Sequence, residues 1–277
     1  MKFAESDGFL TLDTASQAAV GDYLADRWSE VFPEAALQRQ HLKVACERIE
    51  QLFLGQLPRF QAADTPYHNL EHTFQVAVCL MRLIQGAIAV GHLVVSREEV
   101  MDALLSAFCH DMGYLKHRGD DHGTGAKYTA YHEARGALVA SEYLRGQGVA
   151  PDRIHTIQSY ILSTGMHRGI RFIPFHSKTQ SFLAQCLVTA DIISQVSDPS
   201  YKDRLPLLFQ ELKESDDFLE IPSPQRRYPN IEALQASTKA FWDTALKGIL
   251  EVDCKSVYKY LSRPLPSGPN AYLDAIV

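Results

Sequence analysis

Cysteine is scarce in this chain and shows no pairing pattern. There are five in 277 residues (Cys46, Cys79, Cys109, Cys186, Cys254), an odd number without a CxxC spacing. That points away from a disulfide framework, and four of them fall in apolar helical contexts that read as reduced core. Excess positive charge is also missing. With 27 Lys and Arg against 33 Asp and Glu, the net charge is -6, so no basic field gathers nucleic acid non-specifically. A nucleic-acid polymer is thereby disfavoured as a partner, while a small nucleotide is not. No apolar run reaches the roughly 20 residues needed to span a bilayer. The start, MKFAESDGFLTLD, lacks the basic and then apolar pattern of a signal peptide. The expectation is a cytoplasmic protein without a membrane partner, with homo-oligomerisation left open. Strand-like alternation is short and weak, as around 170–175, and neither internal repeats nor low-complexity linkers interrupt the chain.

What is present is helical periodicity over a composition that is 46% hydrophobic and 22% charged, enough for one large core. The spacing predicts helices over 14–32, 38–56, 70–91, 97–112, 129–146, 151–164, 179–197, 203–216, 231–250 and 252–261. The first two carry no candidate chemistry. Residues 1–60 are therefore expected to be a helical segment packed on a catalytic domain of 61–277. The stretch 113–128 (GYLKHRGDDHGTGAKY) is the most irregular of the chain and reads as a functional or disordered loop, with Asp120-Asp121-His122 as a mobile polar segment or a lid element; 222–229 (PSPQRRYP) reads as an exposed loop and 264–269 as a loosely held tail.

The chemistry gathers around His110-Asp111, at the end of the apolar run VMDALLSAFC. A carboxylate beside an imidazole in a buried position is costly to desolvate unless a cation binds both. His72 precedes this pair and Asp191 follows, each within or against a helical run, so His72, His110, Asp111 and Asp191 form a candidate ligand set drawn from three helices. Adjacent residues on a helix diverge by about 100°, so His110 and Asp111 converge on one ion only at a helix end. Asp111 heads the irregular loop, which meets that condition. His132 and His167 stand in chain order for a second ion, with Asp111 bridging, and His155 is the alternative to His167.

The segments YHNLEHTFQV (67–76), FCHDMGY (108–114), ILSTGMH (161–167) and TADIISQVSDP (189–199) resemble the HD superfamily of metal-dependent phosphohydrolases. Within it they are most similar to the catalytic domain of class I 3',5'-cyclic nucleotide phosphodiesterases. The resemblance spans about 60–215 and implies an all-α, HD-type helical bundle with its metal site between helices. It implies two divalent ions (Zn, Mg, Mn or Fe), a hydroxide bridging them as nucleophile, Asp111 on both, and His68 as the general acid for the leaving oxygen. The implied substrate is a cyclic nucleotide or another small phosphoester. Two positions depart from the pattern: Tyr114 stands where HDxxH has its second His, and the acidic residue expected before His132 is missing.

Around that site Tyr67 and Tyr114 are expected to line the pocket, and Lys116 and Arg168 to clamp phosphate, with Gln210 beside Phe209 as a candidate base reader. The order His72, His110-Asp111, His132, His167, Asp191 is also similar to HD-type mixed-valent diiron oxygenases, the second reading. A third is a nucleotide-binding regulatory domain without turnover.

Overall fold

Capping side chains set where most of the helices begin. In the computed structural model, which describes residues 12–165 and 169–276, the chain forms α1 (Gln17–Val31), α2 (Ala36–Phe53), α3 (Leu70–Ala89), α4 (Arg97–Cys109), α5 (His132–Gly146), α6 (Pro151–Ser163), α7 (Lys178–Val196), α8 (Tyr201–Phe218), α9 (Ile231–Phe241) and α10 (Ala271–Asp274). Asn69 Oδ1 accepts the His72 N–H at 3.1 Å and starts α3. Ser96 and Glu99 close a reciprocal capping box on α4. Ser177 Oγ and Asn230 Oδ1 accept the N–H groups of Gln180 and Ala233 and cap α7 and α9. Each such cap contributes about 1 kcal/mol and fixes the register of the residues that follow. The fold is all-α, as expected; among the described residues the one β-type pairing outside the helices is an isolated antiparallel bridge between Phe60 and His117.

Helix α3 is buried almost all round, from His72 through Ala87. It alone among the described helices is long and apolar enough to cross a membrane, and 83% of that stretch is covered by the rest of the protein. A helix apolar on every side is satisfied when neighbours surround it, and α1, α4 and α7 pack against it. Val20, Leu24 and Trp28 of α1, together with Leu42, Cys46, Ile49 and Leu52 of α2, join the same apolar core as Phe74, Phe108 and Leu187. Each large side chain so buried contributes roughly 1.5–3 kcal/mol. The guanidinium of Arg82 is buried within this core, where it donates to the hydroxyls of Tyr23 (2.8 Å) and Tyr272 (3.0 Å). It thereby ties α1 and α10 to the central helix.

Several local expectations are corrected. The 113–128 stretch is pinned, not mobile: Thr124 donates its N–H and hydroxyl to Glu214 (2.5 and 2.6 Å), and Gly125 N–H donates to Asp64 Oδ1 (2.8 Å). Lys127 and Tyr128 both bond Asp120. Polar residues suggest solvent to a pattern reading, but here they satisfy one another. The 264–269 tail is likewise held, by Arg263 N–H to Pro269 O at 2.9 Å and Gly268 N–H to Pro264 O at 2.8 Å. Beyond α9 the chain continues in two π-type turns, Trp242–Leu246 and Ile249–Asp253, and the expected helix over 252–261 is a 3₁₀ turn, Val257–Leu261. The alternation at 170–175 belongs to another 3₁₀ turn, Ile170–Phe172.

Candidate metal centre

The N-terminus of α3, the C-terminus of α4 and the middle of α7 meet at one point. His72 lies in the first turn of α3, His110 is the C-cap of α4, and Asp111 follows where the backbone leaves helical geometry for the 3₁₀ turn Met112–Tyr114. This helix end turns His110 and Asp111 toward the same side. His72 Nε2 lies 3.2 Å from Asp191 Oδ1, 3.6 Å from Asp111 Oδ2 and 3.4 Å from His110 Nε2. His110 Nε2 lies 3.3 Å from Asp111 Oδ2 and 3.7 Å from Asp191 Oδ1. Four donors at about 2.1 Å from a tetrahedral ion stand about 3.4 Å apart, so these five edges fit one ion. His72, His110 and Asp111 by themselves can hold a metal, each offering a donor atom within 4.8 Å of the others.

Two further observations bear on the fit. Asp111 Oδ2 is buried and makes no hydrogen bond, an arrangement that is costly unless a cation satisfies it. His110 Nδ1 lies 2.8 Å from the Ala107 carbonyl. A carbonyl only accepts, so the proton of the neutral ring is on Nδ1 and the Nε2 lone pair faces the cluster. Without an ion the charges compensate by protonation. Burial alone would lower the His110 imidazole, but Asp111, Asp191 and the Ala107 carbonyl outweigh it and raise it to about 9. Burial would likewise raise Asp111, yet His110 and the neighbouring imidazoles hold it well below the usual carboxylate range.

His132, the first residue of α5, presents Nε2 to the other oxygen of Asp111, Oδ1, at 3.8 Å, while its Nδ1 lies 2.8 Å from the Thr129 carbonyl. The two oxygens of Asp111 therefore face different imidazoles. Glycine makes this approach possible: a Cβ on Gly113 would lie 1.9 Å from His132 O, and one on Gly136 would lie 2.9 Å from His110 O. Two backbones touch where side chains would hold α5 away.

His68 stands in the turn before α3. Its ring is stacked on Tyr114 (centroids 4.6 Å, 13°), and Tyr114 is stacked in turn on His132 (4.6 Å, 21°). The residue standing where HDxxH has its second His thus fills the space between two imidazoles. His68 Nδ1 lies 2.5 Å from Glu211 Oε2, and Glu211 Oε1 accepts from the N–H groups of Tyr67 (2.7 Å) and His68 (3.2 Å). Burial would lower His68, but Glu211 outweighs it and the imidazole is raised above its ordinary value. Sequence reasoning missed Glu211. Its signal was an acid on the inward face of α8, between Leu208 and Leu212.

A cavity of about 270 Å³ opens from this centre. His68, Asp111, Tyr114, His132, Glu133 and Asp191 are among its lining residues. The lining also includes Ile192 and Val196 of α7, Leu208 and Leu212 of α8, and Leu234 and Phe241 of α9. Tyr114 is where the sequence suggested. The other substrate-contact expectations are corrected or untouched. Tyr67 is buried behind the centre, against a separate cavity of about 10 Å³, with Arg204 over its ring at 5.1 Å. Lys116 is buried in an ion pair with Asp64 (2.8 Å) and donates to Gly123 O (2.6 Å), which braces the loop, and it is not among the residues lining the cavity. Gln210 is on the exposed side of α8, because Glu211 and its apolar neighbours take the inward face. His155 is exposed on α6. His167 and Arg168 lie outside the described residues.

One family model, Npun_R2479-like, matches residues 51–251. The chain belongs to the Npun_R2479-like family. The matched span contains all four residues of the ligand cluster, His132, and the His68–Glu211 pair, and leaves out α1 and most of α2. Neither a curated protein nor a solved structure matches the chain.

Proposed function

We propose that the chain is a metal-dependent phosphohydrolase of HD type, a phosphodiesterase acting on a nucleotide or other small phosphoester. The observation that carries this reading is a four-donor cluster with an oriented proton donor beside it. His72, His110, Asp111 and Asp191 would hold one divalent ion; Asp111 Oδ1 and His132 Nε2 would take part in holding a second. Such ions, when bound, lower the pKa of water and neutralise phosphoryl charge.

The protein's own groups do the rest. Glu211 accepts from His68 Nδ1 and favours the imidazolium, leaving Nε2 to deliver a proton to the leaving oxygen. Tyr114 stacks on His68 and restricts its rotation. The apolar walls of α7, α8 and α9 exclude water from the ester. A proton donor locked in this way is what hydrolysis with a poor leaving group needs, and it supports the hydrolytic reading over the diiron oxygenase, whose full second-ion imidazole set would rest on His167.

The test is turnover of bis(4-nitrophenyl) phosphate, alkyl phosphodiesters and nucleotides by protein loaded separately with Zn, Mn, Mg and ferrous iron. Turnover that disappears in Asp111→Ala is expected. Absence of turnover with every metal, or oxygen uptake driven by ferrous iron and an organic substrate, would overturn the proposal.

A further inference from the structure

The cavity's lining joins the donor cluster to charged groups from another part of the chain. Among the described residues its lining includes one Lys or Arg, and that is Arg227, in the segment between α8 and α9. Arg227 is exposed, its guanidinium lies over the ring of Phe241 at 4.8 Å and over that of Tyr228 at 5.2 Å, and among the described residues no carboxylate pairs with it. Its neighbour Arg226 is committed elsewhere, to Asp217 Oδ1 (2.6 Å) and the Ile221 carbonyl (3.0 Å). Two aromatic faces thus hold a planar cation in position while its N–H fork stays unused. A guanidinium so held matches a carboxylate or phosphate in a bidentate fashion. The lining also holds the apolar side chains of Leu208, Leu212, Leu234 and Ile192, beside the hydroxyl-bearing Ser237 and Thr238. Asp216 also lines the cavity, and burial raises its carboxyl above its ordinary value.

We propose that Arg227 is a specificity-determining anion anchor, and that the preferred substrate is a phosphoester bearing a second anionic group at the far end of an apolar body. This rests on the reading of the inner cluster as a phosphate-binding metal centre. In this arrangement the phosphate would sit at the cluster, the apolar body against side chains of α8 and α9, and the second anion at Arg227. A phosphoester with a neutral or cationic far end would leave the guanidinium unused or repel it.

The test uses non-hydrolysable probes on the metal-bearing full chain: phenylphosphonate, 4-carboxyphenylphosphonate and 4'-carboxybiphenyl-4-phosphonate, with affinity read by calorimetry. At least one carboxylated probe is expected to bind about tenfold tighter than phenylphosphonate. That preference disappears in Arg227→Gln, is partly restored in Arg227→Lys, and grows in Asp216→Asn, while phenylphosphonate binds all four proteins alike. Equal affinity of all three probes for the unmodified protein would overturn the anchor. So would an Arg227→Gln variant that weakens every probe equally. Turnover of bis(4-nitrophenyl) phosphate, measured on the same preparations, separates the two failures: it persists if the anchor alone is wrong and is absent if the hydrolytic reading is wrong.

Discussion

His68 Nδ1 and Glu211 Oε2 lie 2.5 Å apart across 143 residues of sequence, and Glu211 is buried while it also accepts from two backbone N–H groups. The carboxylate fixes which nitrogen of His68 faces the cavity and favours its protonated form. Glu211→Gln keeps the shape and the two backbone bonds but removes the charge. The His68 pKa then falls, so the alkaline limb of the pH–rate profile moves to lower pH. Turnover of alkyl phosphoesters is expected to drop by about 10²-fold, with activated aryl esters nearly unchanged. Metal content, measured on the same samples, stays constant. A loss common to both ester types would remove the pair from proton delivery.

Asp111→Ala removes the one carboxylate that faces both His110 and His132. Metal content per chain is expected to collapse, by more than 10-fold in affinity, together with turnover. The thermal transition of the metal-free protein changes less than that of the metal-loaded one, since only the latter loses the ligand's stabilisation.

The proton that His110 holds up to about pH 9 in the metal-free protein must leave when a metal binds. Apparent affinity should therefore rise about tenfold per pH unit from neutrality towards 9 and then level off. Calorimetry in two buffers of different ionisation enthalpy checks this, with about one proton released per ion. The same proton has a stability signature of the opposite sign. Its contribution is complete below the ordinary value of 6.5 and is lost as pH rises through about 9, so chelated protein melts at lower temperature at the alkaline end.

Lys116 serves the fold. Lys116→Ala leaves Asp64 and the Gly123 carbonyl without their partner and is expected to cost about 1–3 kcal/mol in denaturant unfolding. The KM for a phosphoester is unchanged, and a rise in KM without loss of stability would place Lys116 at the substrate after all.

Gly113→Ala puts a methyl group 1.9 Å from His132 O, and neither backbone has room to yield. Destabilisation of about 1–3 kcal/mol or more is expected, with weaker metal binding because α5 and His132 are pushed off Asp111. Gly119→Ala is a contrasting position: no neighbouring atom lies within 4 Å of a Cβ there, and its cost comes only from a positive φ.

Helix periods and capping residues made most of the fold legible in the sequence, because apolar spacing and a cap such as Asn69 are local signals. The cluster of His72, His110, Asp111 and Asp191 was legible too, since imidazoles and acids in apolar runs demand a cation. Partners supplied by distant backbone were not. Glu211 sits beside Gln210, which looked the better functional group by type; only the packing of α8 decides which of the two faces inward. Lys116 looked like a phosphate clamp because its charge is visible in the sequence and its ion pair with Asp64 is not. The pinned loop at 113–128 was misjudged for the same reason, as Glu214 satisfies it from far along the chain.

The placement of Glu211 also gives the site a chronology. Read from the ribosome outward, the His–Asp cluster is complete once Asp191 has emerged, whereas the carboxylate that orients His68 belongs to α8 and comes later. The cluster and the His68–Glu211 pair are thus separate acts of assembly, and the second waits for a helix that contributes nothing to the first.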